Sequence, residues 1–85
     1  MPVFSISYDL IKRKDYPTLW AELARLNAKK LLLSQWGVRM VAGTTASALR
    51  DHLKGYIDGD DRLLIIQIDG TDWASYNCLY DINQL

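Results

Sequence analysis

The sequence has little cysteine, no excess of charge and no long apolar run. With Cys78 as the single cysteine, an intramolecular disulfide is excluded and a reducing compartment is expected. Ten basic and ten acidic residues give a formal net charge of zero, which argues against a domain that mainly wraps nucleic-acid backbone. No apolar run approaches the length of a membrane span, and the first residues lack a signal-peptide pattern. A cytoplasmic protein with no membrane partner is therefore expected.

The length of the chain and its aromatic content bear on its organisation. Its 85 residues suffice for one domain and leave no room for a second core. We expect a single domain over 1–85, with a core over 3–69 and a tail over 70–85. Three Trp, five Tyr and one Phe are a heavy load for so small a domain. They either pack inside or form an interface, where Trp and Tyr are enriched, and on this ground a homodimer is favoured.

Residues 3–10 alternate in the manner of a β-strand. Its large side chains share one face: Phe4, Ile6 and Tyr8. Asp9 comes where this strand should give way to a loop, a common place for chemistry because a rigid element presents a side chain to a wet region. Asp9 is therefore a candidate catalyst or metal ligand. The alternative is a loop anchor that accepts hydrogen bonds from backbone amides.

Two segments have the periodicity of amphipathic helices. The first begins around Pro17 and ends near Asn27, and its spacing puts Glu22 and Arg25 on the side away from the apolar stripe. The second follows a threonine N-cap at Thr45.

Three further strands are expected. Residues 31–42 form two short strands hinged about Ser34 to Gly37, because Gly37 marks a bend, a bulge or a tight hairpin; one bent strand is the alternative. Residues 63–68 form the most hydrophobic strand, whose nearly continuous apolar run implies that both faces are covered.

The order of elements predicts the architecture. Strand, helix, strand, strand, helix, strand is typical of an α+β, ferredoxin-like βαββαβ sandwich, with an antiparallel sheet and both helices on one face. Right-handed crossovers place the first and third strands in the middle and the last strand at an edge beside the first. The aromatic C-terminal tail and the sheet of a second subunit are the expected covers for the open face and edge.

Several residues resemble one known family. The strand ending Tyr8-Asp9-Leu10, the segment Ser34-Gln35-Trp36 and the turn Asp58-Gly59-Asp60-Asp61, with the order of elements, resemble the CRISPR-associated Cas-two family over about residues 3–69. The closer match is to its small stand-alone, SinR-like relatives. The resemblance implies a symmetric ferredoxin-like dimer with a role in antiviral defence. It also implies that Asp9 binds a divalent metal for phosphodiester cleavage.

A nuclease-like site follows from that resemblance. Two copies of Asp9 that meet at a twofold axis would bind Mg²⁺, which prefers oxygen ligands and activates water. Ser7 and Ser34 should lie near the same strand end and orient a phosphate of RNA or DNA.

Basic and aromatic residues are the candidates for nucleic-acid contacts. The main basic cluster is next to Asp9, and one further arginine is a candidate: Lys12, Arg13, Lys14 and Arg39. The alternatives are a solvated loop for the cluster and the open sheet surface for Arg39. Trp36, Trp73 and the tyrosines could stack bases, although core and interface packing is their more frequent role.

Other polar motifs carry less information. His52 would need a cleft beside a carboxylate to act as a general base, and a histidine at a helix surface or boundary is more frequent. The run Asp58-Gly59-Asp60-Asp61 lacks the ligand spacing of an EF-hand. Two hypotheses remain: a metal-dependent, nuclease-like homodimer, or a non-catalytic homodimeric binding or structural module of the same fold. A nucleotide bound at the dimer seam is a third possibility that no residue specifically supports.

Overall fold

The computed structural model describes residues 1–11 and 16–85 as a sheet with two helices. Four strands form an antiparallel sheet in the order β2-β3-β1-β4: Val3–Asp9 (β1), Lys29–Leu32 (β2), Gln35–Arg39 (β3) and Arg62–Gln67 (β4). The helices are Tyr16–Arg25 (α1) and Ala46–Leu53 (α2), with short 3-10 helices at Lys54–Tyr56 and Ile82–Gln84. The predicted α+β architecture is confirmed, as is the edge position of the last strand beside the first.

Helix α1 ends in a Schellman motif close to where the sequence predicts its end. Asn27 has a φ of 64°, in the left-handed region that asparagine tolerates better than most residues. Its N–H donates to the Ala24 carbonyl at 2.9 Å, and the N–H of Ala28 donates to the Leu23 carbonyl at 2.9 Å. These two bonds satisfy carbonyls at the helix end and turn the chain directly into β2.

Helix α2 begins at its predicted cap. The hydroxyl of Thr45 accepts a hydrogen bond from the N–H of Ala48 at 3.1 Å. One turn apart, Leu49 and Leu53 are both buried, so this face of the helix packs inward. In the described part of the chain, no helix is long and apolar enough to cross a bilayer.

The core lies between the helices and one face of the sheet. Its fully buried side chains come from β1, β3 and both helices: Phe4, Ile6, Leu19, Leu23, Val38 and Leu53. Phe4, Ile6 and Tyr8 alternate along β1 and therefore share one face of the sheet. They pack in one cluster with buried leucines of α1 and α2, so both helices cover this face. Each such side chain contributes about 1.5–3 kcal/mol on removal from water.

The opposite face of the sheet is covered over one part by the tail. The N–H of Leu79 donates to the Leu31 carbonyl of β2 at 2.9 Å, and Leu85 packs over Gly37 of β3. On β4, however, Leu64 and Ile66 are 58% and 50% exposed. The prediction that both faces of this strand are covered is therefore wrong for the single chain.

Gly37 has a different role from the one predicted. It lies inside β3 opposite Ser5, whereas the turn between β2 and β3 is at residues 33–34 and the irregular pairing is between Lys30 and Leu32. A Cβ atom at Gly37 would lie 2.6 Å from Leu85 Cδ1 and 3.1 Å from Leu31 Cδ1. Glycine is needed here for close approach of the tail, not for a bend.

Candidate functional site

Three residues singled out from the sequence line one cavity of about 620 Å³ at the end of β1. Asp9 is the last residue of β1, and Ser7 lies on the same face two residues earlier. Ser34 lies in the turn between β2 and β3, where its carbonyl accepts a hydrogen bond from the N–H of Tyr8 at 3.1 Å. Pairing of Ser7 with Gln35 holds this turn beside the strand end. The structure thus brings Ser7, Asp9 and Ser34 together.

Arg62 is a site residue that sequence reasoning missed. The register of β1 and β4 pairs it with Asp9, and its Nη1 lies 3.7 Å from Asp9 Oδ2. Their side chains are 73% and 67% exposed, so this ion pair contributes little to stability. The signal for Arg62 is its position directly before the apolar strand, because antiparallel pairing sets the first residue of β4 opposite the last residue of β1.

Arg39 lies away from Asp9. It pairs with Val3 at the other end of β1, roughly 20 Å from Asp9 at about 3.3 Å per residue. Its Nε donates to the main-chain oxygen of Leu85 at 2.7 Å, and its Nη2 donates to the same oxygen. Arg39 therefore holds the tail in this structure. The predicted basic cluster, Lys12, Arg13 and Lys14, lies outside the described residues.

The donor set around Asp9 determines whether Mg²⁺ fits. Within residues 1–11 and 16–85, no group of three or more His, Cys, Asp or Glu side chains could hold a metal ion. Asp9 supplies one carboxylate, and Ser7 and Ser34, which carry hydroxyl groups, line the same cavity. These are oxygen donors of the kind Mg²⁺ takes. They suit Mg²⁺ if a second carboxylate comes from another copy of the chain.

A second polar cluster joins the two helices. Glu22 is buried, so the prediction that it faces away from the core is wrong. Arg25 donates to both of its carboxylate oxygens, at 2.7 and 2.5 Å, and His52 Nε2 lies 2.5 Å from Oε2. The His52 ring also packs against Tyr56, with centroids 5.4 Å apart. Hydrogen bonds from Arg25 and then His52 lower the pKa of Glu22 to about 2, against the opposing effect of burial.

This lowered pKa predicts a specific loss of stability in acid. A carboxyl that titrates near 2 when folded and near its ordinary 4.5 when unfolded stabilises the fold fully above about pH 5. The stabilisation is lost as the pH falls toward 2. We expect Glu22→Gln to lower stability at neutral pH and to flatten the decline between pH 5 and 2, as measured by urea midpoints.

Glu22 is not the only carboxyl that contributes to the acid decline. A hydrogen bond from the Val3 backbone also lowers the pKa of Asp69, so part of the acid decline should persist in Glu22→Gln. The matched control is Asp51→Asn, which removes an exposed carboxylate paired with Arg50 at 2.9 Å and should change the midpoint little. A wild-type slope in Glu22→Gln would contradict the assigned role of this carboxylate.

Comparison of the sequence with models of known protein families gives no match. The chemistry of the cavity at Asp9 is therefore what indicates its function. It offers an exposed carboxylate beside a guanidinium, two serines, and an apolar wall that includes Leu32, Leu33 and Leu64.

Proposed function

We propose that this protein is a homodimer of ferredoxin-like subunits, resembling the Cas-two family, that cleaves phosphodiester bonds of RNA or DNA with Mg²⁺ held by two copies of Asp9. The observation that carries the proposal is the meeting of Ser7, Asp9 and Ser34 in one cavity beside an exposed apolar sheet surface. The strand order β2-β3-β1-β4, with both helices on one face, supports the ferredoxin-like assignment.

The apolar sheet surface supports the dimer. Leu64 pairs with Ser7 and Ile66 with Ser5, so these exposed side chains lie on the same face as Asp9. Contiguous apolar surface of this kind marks an interaction site. An isologous contact along β4 about a twofold axis would bury Leu64 and Ile66 and place the ends of the two β1 strands near each other.

Each residue at the cavity has a role in this proposal. The hydroxyls of Ser7 and Ser34 donate hydrogen bonds to phosphate oxygens, and Arg62 pairs with the phosphate charge. Asp9 and its symmetry mate hold the cation. Mg²⁺ bound there would neutralise phosphate charge and activate water.

The test is a cleavage assay with matched variants. Labelled RNA and duplex DNA are incubated with Mg²⁺, Mn²⁺ or EDTA, using the wild type, Asp9→Asn and, as control, Asp72→Asn at an exposed tail position. We expect metal-dependent cleavage by the wild type and the control. Asp9→Asn should be at least roughly 100-fold slower, equivalent to about 3 kcal/mol of transition-state stabilisation. Equal cleavage by Asp9→Asn would overturn the assigned role.

The dimer is tested separately by sedimentation and light scattering. We expect the wild type to be a dimer at micromolar concentration and Leu64→Asp to be a monomer with unchanged circular dichroism. If the wild type is still monomeric at roughly 100 µM, where an interface of this kind should form, two copies of Asp9 cannot share a cation.

The second candidate function is a non-catalytic binding module of the same fold. It is favoured by the Asp9–Arg62 ion pair, which gives this carboxylate a partner within one chain, and by the zero net charge. If this candidate is correct, no metal ion supports cleavage, and the protein is still a dimer. Asp9→Asn should then lower the melting temperature slightly, whereas an increase would indicate carboxylates held together against repulsion for function.

A further inference from the structure

A second cavity, of about 250 Å³, lies between the sheet and the tail. Ser5 and Gln35 of the sheet line it on one side, and Trp73 and Tyr76 of the tail line it on the other. It shares Leu32 and Gln35 with the cavity at Asp9. The two cavities therefore lie next to each other on the second face of the sheet, between Asp9 and Trp73, and are together called the cross-sheet groove.

The polar floor of the groove is built around Gln35. Its Nε2 donates a hydrogen bond to the hydroxyl of Ser5, a residue only 6% exposed. Within residues 1–11 and 16–85 this is the one hydrogen bond of the Gln35 side chain. Its carbonyl oxygen and its other N–H therefore stay available next to each other. A primary amide with a free acceptor and donor matches the edge of a nucleobase.

The aromatic wall of the groove is exposed. Trp73 is 37% and Tyr76 is 87% exposed, although both lie next to the sheet surface. Aromatic faces that stay in contact with water stack on bases of any sequence, with about 1–3 kcal/mol for each base. An amide beside two aromatic rings is the combination by which proteins hold unpaired bases.

We propose that the cross-sheet groove binds a single-stranded nucleic acid, with one base against Trp73, Tyr76 and Gln35 and the backbone extending toward Arg62, which pairs with a neighbouring phosphate. At about 250 Å³ the tail end of the groove lies below the roughly 300–1,000 Å³ of pockets for drug-sized ligands, so it suits one ring system. A base that is paired and stacked in a duplex cannot enter it. The direction in which the nucleic acid lies along the groove rests on the proposed function, whereas its binding does not.

The charge of the groove predicts how binding depends on salt. Its described lining carries one basic side chain, Arg62. For single strands each neutralised phosphate contributes a slope of about −0.7 to the plot of log affinity against log salt. We therefore expect a slope near −1 or shallower for the part of the affinity that this groove provides.

The experiment measures anisotropy of fluorescein-labelled ten-nucleotide strands in EDTA. The probes are oligo(U), oligo(dT), oligo(A) and a duplex. We expect the single strands to bind at least tenfold more tightly than the duplex. Trp73→Ala, Tyr76→Ala and Gln35→Ala should each weaken binding by roughly 5- to 100-fold, from the loss of one stacked or hydrogen-bonded base. Ribose and deoxyribose strands separate RNA from DNA preference.

The matched control is Tyr80→Ala, a tail tyrosine that packs on Lys29 outside the groove and should leave affinity unchanged. Tyr76 is so exposed that its replacement cannot unfold the protein, which keeps the test valid if Trp73→Ala is unstable. Undiminished binding by Tyr76→Ala and Gln35→Ala, or tighter binding of the duplex, overturns the proposal.

This result is distinguishable from the outcome for the proposed function. Single-strand binding in EDTA, without cleavage in any metal, would support nucleic-acid binding in the groove and contradict the nuclease proposal. Metal-dependent cleavage whose KM is unchanged in Trp73→Ala and Gln35→Ala would support the nuclease proposal and contradict nucleic-acid binding in the groove.

Discussion

We expect Phe4→Ala to lower the free energy of unfolding by about 3–5 kcal/mol. Phe4 is fully buried in the middle of the sheet, between Val38 of β3 and Gln67 of β4. Its ring packs in the same cluster as the buried leucines of both helices. Truncation would remove apolar contact from both layers and leave a cavity that central strands cannot readily close. In a domain of this size the melting temperature should fall by more than about 10 °C.

Urea unfolding followed by circular dichroism checks this prediction. Phe4→Leu, which keeps most of the volume, should lose less than about 1.5 kcal/mol. The matched exposed control is Val41→Ala in the loop after β3, where the side chain is 67% exposed and the change should stay within about 0.5 kcal/mol. A loss below about 1 kcal/mol in Phe4→Ala would mean that this face of β1 is not the core.

Tyr8→Phe should lower the free energy of unfolding by about 1–3 kcal/mol, although it removes a single oxygen atom. The Tyr8 hydroxyl accepts hydrogen bonds from the indole N–H groups of Trp20, at 2.7 Å, and Trp36, at 3.1 Å. Tyr8 is itself buried, and both tryptophans are half-buried, so removal of the oxygen leaves two donors without their acceptor. An unsatisfied buried donor costs more than the net contribution of the bond that is lost.

Two measurements test this role of Tyr8. Urea midpoints give the change in stability, and tryptophan emission reports the new environment of Trp20 and Trp36. Tyr76→Phe, at a strongly exposed tail tyrosine, is the control and should change neither. A change below about 0.5 kcal/mol in Tyr8→Phe would contradict this role of the phenol oxygen.

Much of the fold could be predicted because local pattern and connectivity agree. The alternation of Phe4, Ile6 and Tyr8 identifies β1 and its core face, and Thr45 and Asn27 mark helix ends by their capping chemistry. The handedness of crossovers then places the strands in their order. The same reasoning brings Ser7, Asp9 and Ser34 to one strand end.

What the sequence did not reveal depends on contacts between distant residues. Glu22 has the spacing of an exposed position, and it is buried because Arg25 and His52 satisfy its carboxylate. Gly37 has the composition of a bend, and its missing side chain instead admits Leu85. Neither partner is visible to a periodicity argument, which weighs each segment by itself.

The central position of β1 has a consequence for how the chain folds as it is synthesised. One neighbour of β1 is β4, which begins at Arg62, so the first strand of the sheet cannot complete its pairing until the last strand has been made. At about 5–20 residues per second, that interval lasts roughly 3–10 s. During it the apolar residues of β1 and α1 are available to chaperones. Helices and the β2–β3 hairpin can form earlier, and closure of the sheet is the late, non-local event.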